Sequence, residues 1–452
     1  MTRRATRRGA LAAAGALALG SLAGCAGVDS EPRFWDDPPS LDVAAVPRRF
    51  DRPVPEPPRL VPVDVEPGVA AALEDRVGRL LSPIPDPLTA ETLPNGAYRD
   101  RIETERAAAR EALPGAEESL PPLRAAERYA AARGHAATAV GTWAGVTVEG
   151  DPGSVTADVG TVRRRVADTL ETLPGPATGP TAGAAVYGPI ERWYDEAQRR
   201  TLIGRTASPT ERANPIRTGE SVGDVERVQS HVETGRYLRD RYRASLTDPR
   251  SVEARLTTEA KRLGGVVGDR LRELHGGDTE YLRDSPGSDA FVDDPAVPRR
   301  APSASLLSGA AYRTFAELRF DPVPVRDDYE PTNPATALTR TALAHSRLRG
   351  LDAVASRIER GDSMFPDGPE AVGAARDAAV ESAAALAASE NPLARWLATR
   401  FLPRFAEPDD DLASPERSAR STVEAYTAYR WIETVTGEAR AVAESVATEI
   451  GA

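Results

Sequence analysis

The chain has 452 residues, of which 28% are charged, and Asp plus Glu outnumber Lys plus Arg by 68 to 57. Its length and 40% hydrophobic content suffice for a sizeable packed core, while a net charge of −11 argues against nucleic acid as a partner, since phosphate binding needs clustered cations. A single cysteine excludes both an internal disulfide framework and a cysteine-built zinc site.

The first element in chain order is a leader. Arg3, Arg4, Arg7 and Arg8 precede a run from Gly9 to Gly24 that carries no charge. This is an n-region followed by an h-region. At about fifteen small residues the run is shorter than the roughly twenty a spanning helix needs, so a retained transmembrane segment is the weaker reading. Leu22-Ala23-Gly24-Cys25 resembles a lipobox, and Arg7-Arg8 with Ala10 and Leu11 resembles the twin-arginine export signal. A cleaved soluble-secretion signal, with Cys25 an ordinary small hydrophobe, and a general-secretory signal are the alternatives. Loss of residues 1–24 deepens the charge balance to −15. Lys261 is the only lysine, and together with the acid surplus this makes the chain similar to the exported lipoproteins of haloarchaea; a GC-rich actinobacterium is the alternative source. That resemblance covers the leader and the composition alone. It implies cleavage before Cys25, a lipid on its sulfur, and a place on the outer face of the cell membrane.

Residues 25–68 are rich in proline, including "RPVPEPPRLVPVDVEP". Proline fixes its own φ and pushes its predecessor out of the helical region, which predicts an extended tether. At about 3 Å per residue it would span of order 100 Å if free.

From Val69 onward the periodicity is helical. Val159, Val162, Val166, Leu170 and Leu173 form one apolar stripe; Val252, Leu256, Ala260, Leu263, Val267, Leu271 and Leu274 form another. Ala344, Leu348, Leu351, Ala355 and Ile358 form a third, and Ile432, Val435, Ala439, Val442, Val446 and Ile450 a fourth. Helix starts are predicted at Ser208-Pro209, Asp248-Pro249 and Ser414-Pro415. "VTVEG" at 146–150 and "PVPVR" at 322–326 are too short to build a sheet. The predicted fold is all-α, a multi-helix bundle or irregular array of about ten helices over 69–452, with any division into two subdomains near 285–334.

No motif announces chemistry. His135, His231, His275 and His345 lack metal-pair spacing, and His345 reads as a half-buried structural residue. The acid clusters Asp293-Asp294, Asp327-Asp328 with Glu330, and Asp409-Asp410-Asp411 sit near prolines in predicted loops, without the alternation of a calcium loop. They read as solvated acid. Arg163-Arg164-Arg165 reads as a solvated helix face. Trp396 with Leu393, Leu397 and Phe401 reads as core, as does Trp431 near Tyr426 and Tyr429, although Trp431 could line a groove. No catalytic, cofactor or metal residue is assigned. The expected function is therefore non-catalytic binding or scaffolding by a membrane-anchored surface lipoprotein, with membrane lipid and a surface or membrane protein as partners. The alternatives are an extracytoplasmic hydrolase using dispersed Asp and Glu, and the solute-binding lipoprotein of a transporter.

Overall fold

The structure is a computed structural model that describes residues 41–113, 120–147, 159–203, 214–274, 291, 302–320, 331–362 and 364–451. Helices make up the regular structure of these residues, and the β-type pairing among them is an isolated antiparallel bridge between Ala177 and Arg250. In order they are α1 (Pro67–Leu81), α2 (Gly96–Ala112), α3 (Pro122–Thr147), α4 (Val159–Leu170), α5 (Pro180–Ile203), α6 (Pro215–Ser245) and α7 (Glu253–Leu274). The series continues with α8 (Pro302–Phe320), α9 (Pro334–Glu359), α10 (Pro369–Ala387), α11 (Pro392–Phe401), α12 (Ala406–Ala413) and α13 (Ala419–Gly451). The fold is all-α, as the periodicity predicts. No helix among the described residues is long and apolar enough to cross a membrane.

Proline writes the helix starts. It is the first residue of α1, α3, α5, α6, α8, α9, α10 and α11, where its missing N–H would have no intrahelical partner and its φ is already helical. Asn214 before Pro215 and Asn391 before Pro392 accept from Ile216 N and Leu393 N through their side chains, completing an Asn-Pro cap. Two of the predicted starts move. α7 begins at Glu253, not Pro249, because Arg250 is held in the bridge to Ala177. α13 begins at Ala419, not Pro415: Ser414 Oγ accepts from Glu416 N in a local turn, while Ser418 Oγ accepts from Ser421 N as the helix opens. Ser208-Pro209 lies outside the described residues.

The helices α3 and α6 pack closely, and glycine makes it possible. A Cβ on Gly223 would lie 2.0 Å from Thr138 Oγ1 and 2.7 Å from the Gly134 carbonyl oxygen; one on Gly219 would lie 2.1 Å from Thr142 Oγ1 and 2.6 Å from the Thr138 carbonyl oxygen. Beside this contact, Arg133 donates through Nε and Nη2 to Glu226 Oε1 at 2.9 and 2.7 Å and through Nη1 to Glu233 at 2.7 Å. Arg76 of α1 completes the cluster on Glu226 at 2.9 and 3.0 Å. Burial alone would raise the Glu226 carboxyl, but its bonds to Arg76 and Arg133 outweigh that and hold it below its ordinary value.

The principal core joins both halves of the chain. It runs through Ile190 and Tyr194 of α5, Leu238 of α6, Leu256 of α7, Leu338 of α9, Val380 of α10, Leu397 of α11 and Val435 of α13. A second cluster packs Val267 and Leu271 of α7 against Leu307 of α8 and Leu348 and Leu351 of α9. The four predicted stripes fall on α4, α7, α9 and α13, except that Leu173 lies just past the end of α4 and Val252 just before α7; Val162 and Val166 of the first, like the members of the other three, pack against these cores.

Residues 41–66 differ from the expected free tether. Apart from a 3-10 turn at Val43–Ala45 they have no regular structure, yet they are strapped onto the helical body. Val46, Val61 and Val63 are buried in the principal core. The ring of Phe50 sits 4.5 Å below the Arg376 guanidinium. Arg376 in turn donates to the Arg52 carbonyl at 2.7 Å and to both oxygens of Asp409 at 2.9 and 2.8 Å. The far end is pinned where the Tyr237 hydroxyl accepts from Glu66 N at 2.9 Å. An extended chain costs little to dock when proline has already removed its freedom, so scattered valines hold it down. Residues 25–40 of the tether lie outside the described residues.

The strap supplies a first prediction. Arg376→Met is expected to cost about 2 kcal/mol, the scale of a lost charged hydrogen-bond set, and to speed tryptic cleavage after Arg48 and Arg49. Chemical denaturation and limited proteolysis at Arg48 and Arg49 check both; unchanged cleavage there would mean the strap is held without this knot.

Candidate functional site: an arginine-lined cleft

A cavity of about 490 Å³ opens between the strap, α3, α5, α9 and α11. Pro57, Pro58 and Leu60 of the strap and Pro121 and Leu123 at the start of α3 form an apolar wall. The same cavity is lined by guanidiniums from four helices: Arg124 of α3, Arg192 of α5, Arg340 and Arg347 of α9, and Arg400 of α11. This is a concentration of positive charge in a chain of net charge −11.

The local sequence explains the placement. In α9, Thr336, Arg340, Leu343 and Arg347 follow one another by four, three and four positions, which puts them on one helix face. That helix is buried over most of its surface, so the arginines look into the cleft and not into solvent. Close approach of α5 to α9 depends on Gly188, where a Cβ would come 3.0 Å from Thr339 Oγ1 and 3.2 Å from the Ala335 carbonyl oxygen. The Thr336 hydroxyl donates to the Gly188 carbonyl at 2.8 Å. Thr336 N is capped at 2.7 Å by Glu191 Oε2, a carboxyl oxygen from α5 on a side chain that is 0% exposed. Asn333, the residue before Pro334, makes no side-chain cap here.

The arginines differ in depth. Arg124 is exposed, Arg192, Arg340 and Arg400 are half-buried, and Arg347 is 6% exposed. Arg192 lies 3.5 Å from Glu127, which also lines the mouth, and Arg340 lies 3.9 Å from Asp195. Burial, with the like charges of Arg404, Arg400 and Arg313, pulls the Arg347 guanidinium down to about 9. A site of this kind favours an anion, because guanidiniums offer planar forked donors that match carboxylate and phosphate oxygens.

Arg347 also borders a second cavity of about 290 Å³, walled by Arg313, Arg404, Glu407, Asp411 and Trp431 among others. The Asp411 carboxyl is raised by burial and by Glu407, Glu424 and Asp410.

The sequence candidates fall as follows. Cys25, Leu22, Ala23, Gly24, Arg7 and Arg8 lie outside the described residues, as do Asp293-Asp294, Asp327-Asp328 with Glu330, and His275. Asp409-Asp410-Asp411 is not in a loop: it forms the short helix α12, and Asp409 is engaged by Arg376 and by the Tyr429 hydroxyl at 2.6 Å. No group of His, Cys, Asp and Glu among the described residues could hold a metal ion. His135 Nδ1 lies 2.7 Å from Glu105, and His231 stacks on Trp193 at 5.1 Å between ring centroids. His345 is half-buried, and burial with the charges of Arg349 and Arg262 lowers it to about 4. Trp396 is core and cleft wall at once; Trp431 packs between the two core clusters while lining the second cavity. Arg164 and Arg165 are exposed on α4.

Comparison with known proteins adds no activity. No curated protein matches the chain, and no solved structure does. Residues 69–248 match a family model described as a domain of unknown function (DUF8262), and residues 253–448 match another described in the same words (DUF8264). The two matches meet in the connection between α6 and α7, and the cleft draws on both, with Arg124 and Arg192 from the first and Arg340, Arg347 and Arg400 from the second.

Proposed function

We propose that the mature chain is a lipoprotein held at the outer face of the cell membrane through Cys25, and that it acts there by binding an anionic ligand in the arginine-lined cleft without transforming it. The observation that carries this reading is the set of five arginines gathered around one cavity in an acidic chain. In concentrated salt the Debye length shrinks to about 3 Å, so recognition there must come from direct hydrogen bonds and not long-range steering. Guanidiniums within a walled cavity supply them. The solute-binding alternative in its usual form, two α/β lobes, is not favoured by an all-helical body.

Two measurements test the reading. Wild type is expected in the membrane fraction with a lipid mass on its N-terminal cysteine, and Cys25→Ser in the soluble fraction. Calorimetric titration of the mature protein with inorganic phosphate is expected to show binding that Arg340→Gln weakens about tenfold, the scale of one charged hydrogen bond. A membrane-bound Cys25→Ser protein would remove the anchor, and no heat with phosphate would remove the cleft.

A further inference from the structure

The cleft is lined by hydrocarbon and by guanidiniums together, and the combination narrows the ligand. Pro57, Pro58 and Leu60 from the strap and Pro121 and Leu123 from α3 are half-buried in its wall. From α9 and α11 come Thr339 and Arg347, both buried, and Arg340 and Arg400, both half-buried. Leu343 and Trp396 line the same cavity, so it is not a bare pocket for a hydrated ion.

A small inorganic anion would leave the apolar wall wet and fill little of 490 Å³. A neutral hydrocarbon could accept no hydrogen bond from the guanidiniums of the lining. We infer that the ligand is an amphiphile with an anionic head, a phosphate monoester carrying a hydrocarbon chain, bound head-first toward Arg340 and Arg347 with its chain along Pro58, Leu60 and Leu123. Phosphate is preferred to carboxylate because three terminal oxygens can accept from several forks converging from different helices, whereas one carboxylate is satisfied by a single fork. This inference rests on the proposed anion-binding role of the cleft.

The strap gives the assignment a structural logic. Its residues 57–60 build the hydrocarbon wall, and the same segment is pinned on both sides, at Arg52 by Arg376 and at Glu66 by Tyr237. A wall made of proline is stiff before any ligand arrives, which lowers the ordering cost of binding.

The test is a calorimetric series on the mature protein with inorganic phosphate, n-hexyl phosphate and n-hexanol. Hexyl phosphate is expected to bind at least tenfold more tightly than phosphate, since two buried methylenes already account for about that factor. Hexanol is expected to bind far more weakly than hexyl phosphate. Leu60→Ser and, separately, Leu123→Ser should erase most of the chain's advantage, read as the ratio of hexyl phosphate to phosphate affinity, with circular dichroism confirming the fold of each. Equal affinity for phosphate and hexyl phosphate would overturn the amphiphile and leave the anion site standing. Hexanol binding as well as hexyl phosphate would overturn it by removing the head. Silence from all three would remove the anion site and the amphiphile together.

Discussion

Replacing Gly219 of α6 by alanine is expected to destabilise the protein by about 3 kcal/mol or more, at the upper end of what overpacking costs. Elsewhere in a helix interior the same change is favourable by up to about 1 kcal/mol, because alanine has the higher helix propensity. The sign is therefore diagnostic. At Gly219 the new methyl would stand 2.1 Å from Thr142 Oγ1 and 2.6 Å from the Thr138 carbonyl oxygen. Thr142 is 0% exposed and its hydroxyl is already given to the Thr138 carbonyl at 2.8 Å, so it has nowhere to turn. The carbonyl belongs to the backbone of α3 and can move only with the helix. Separating α3 from α6 would stretch the Arg133–Glu226 pair, whose two partners are both buried. Such a pair is costly to half-break.

Gly223→Ala should behave alike, and removing the threonine hydroxyl should not rescue it, since the Gly134 carbonyl would still be 2.7 Å away. Gly265→Ala in α7 is the control: nothing lies within 4 Å of its Cβ position, and stabilisation of a few tenths to 1 kcal/mol is expected. Denaturant titration of the three variants decides the matter. A Gly219→Ala protein as stable as Gly265→Ala would show that α3 and α6 are not held at this distance.

These cases show what the sequence can and cannot disclose. The stripes of α7 and α13 were legible because one face of each is buried and periodicity reports a single buried face. The α3–α6 contact was legible in principle, as Gly219-x-x-x-Gly223, but a glycine pair is silent about its partner until Thr138 and Thr142 are brought opposite. The sequence alone marks the strap as a free tether because proline signals extended chain whether or not it is docked; Val46, Val61 and Val63 follow no period. The cleft was hidden for a different reason. Its arginines come from positions 124, 192, 340, 347 and 400, and only tertiary packing gathers them. One trace existed: Arg340 and Arg347, two turns apart on a helix otherwise buried almost all round, are misplaced unless their face meets a cavity. Helix starts shifted at Pro249 and Pro415 because local turns and a backbone bridge took the groups that a cap would have used.

Between pH 5 and 8 the protein is expected to lose stability as pH rises, and Glu191→Gln is expected to abolish most of that loss. Glu191 is 0% exposed, and burial lifts its carboxyl from 4.5 to about 8, against the hydrogen bonds from Thr336 and Ala335 and with some help from Glu253. In the unfolded chain the same carboxyl ionises near 4.5. Below that value both states hold the proton and stability is at its plateau. Between the two values the unfolded state releases the proton while the folded state keeps it, so unfolding is favoured by about 1.4 kcal/mol per pH unit, or about 5 kcal/mol across the window. Above about 8 both states are ionised and the slope ends.

The carboxyl's position makes the loss structural as well as thermodynamic. Glu191 Oε2 is the acceptor for Thr336 N at the start of α9, in the place where Asn333 would ordinarily cap, and Arg192 and Thr336 beside it line the cleft. Glutamine keeps an acceptor oxygen for Thr336 N and cannot ionise. Glu191→Gln should therefore match wild type near pH 5 and exceed it by several kcal/mol near pH 8, whereas Glu191→Ala, lacking the cap, should fall about 1 to 2 kcal/mol below wild type at pH 5. Other groups titrate in both proteins, so the informative quantity is the difference between wild-type and Glu191→Gln stability measured by denaturant titration at each pH. A difference that stays constant from pH 5 to 8 would show that Glu191 is ionised in the folded protein throughout, stabilised by the N-terminus of α9 more strongly than burial opposes it.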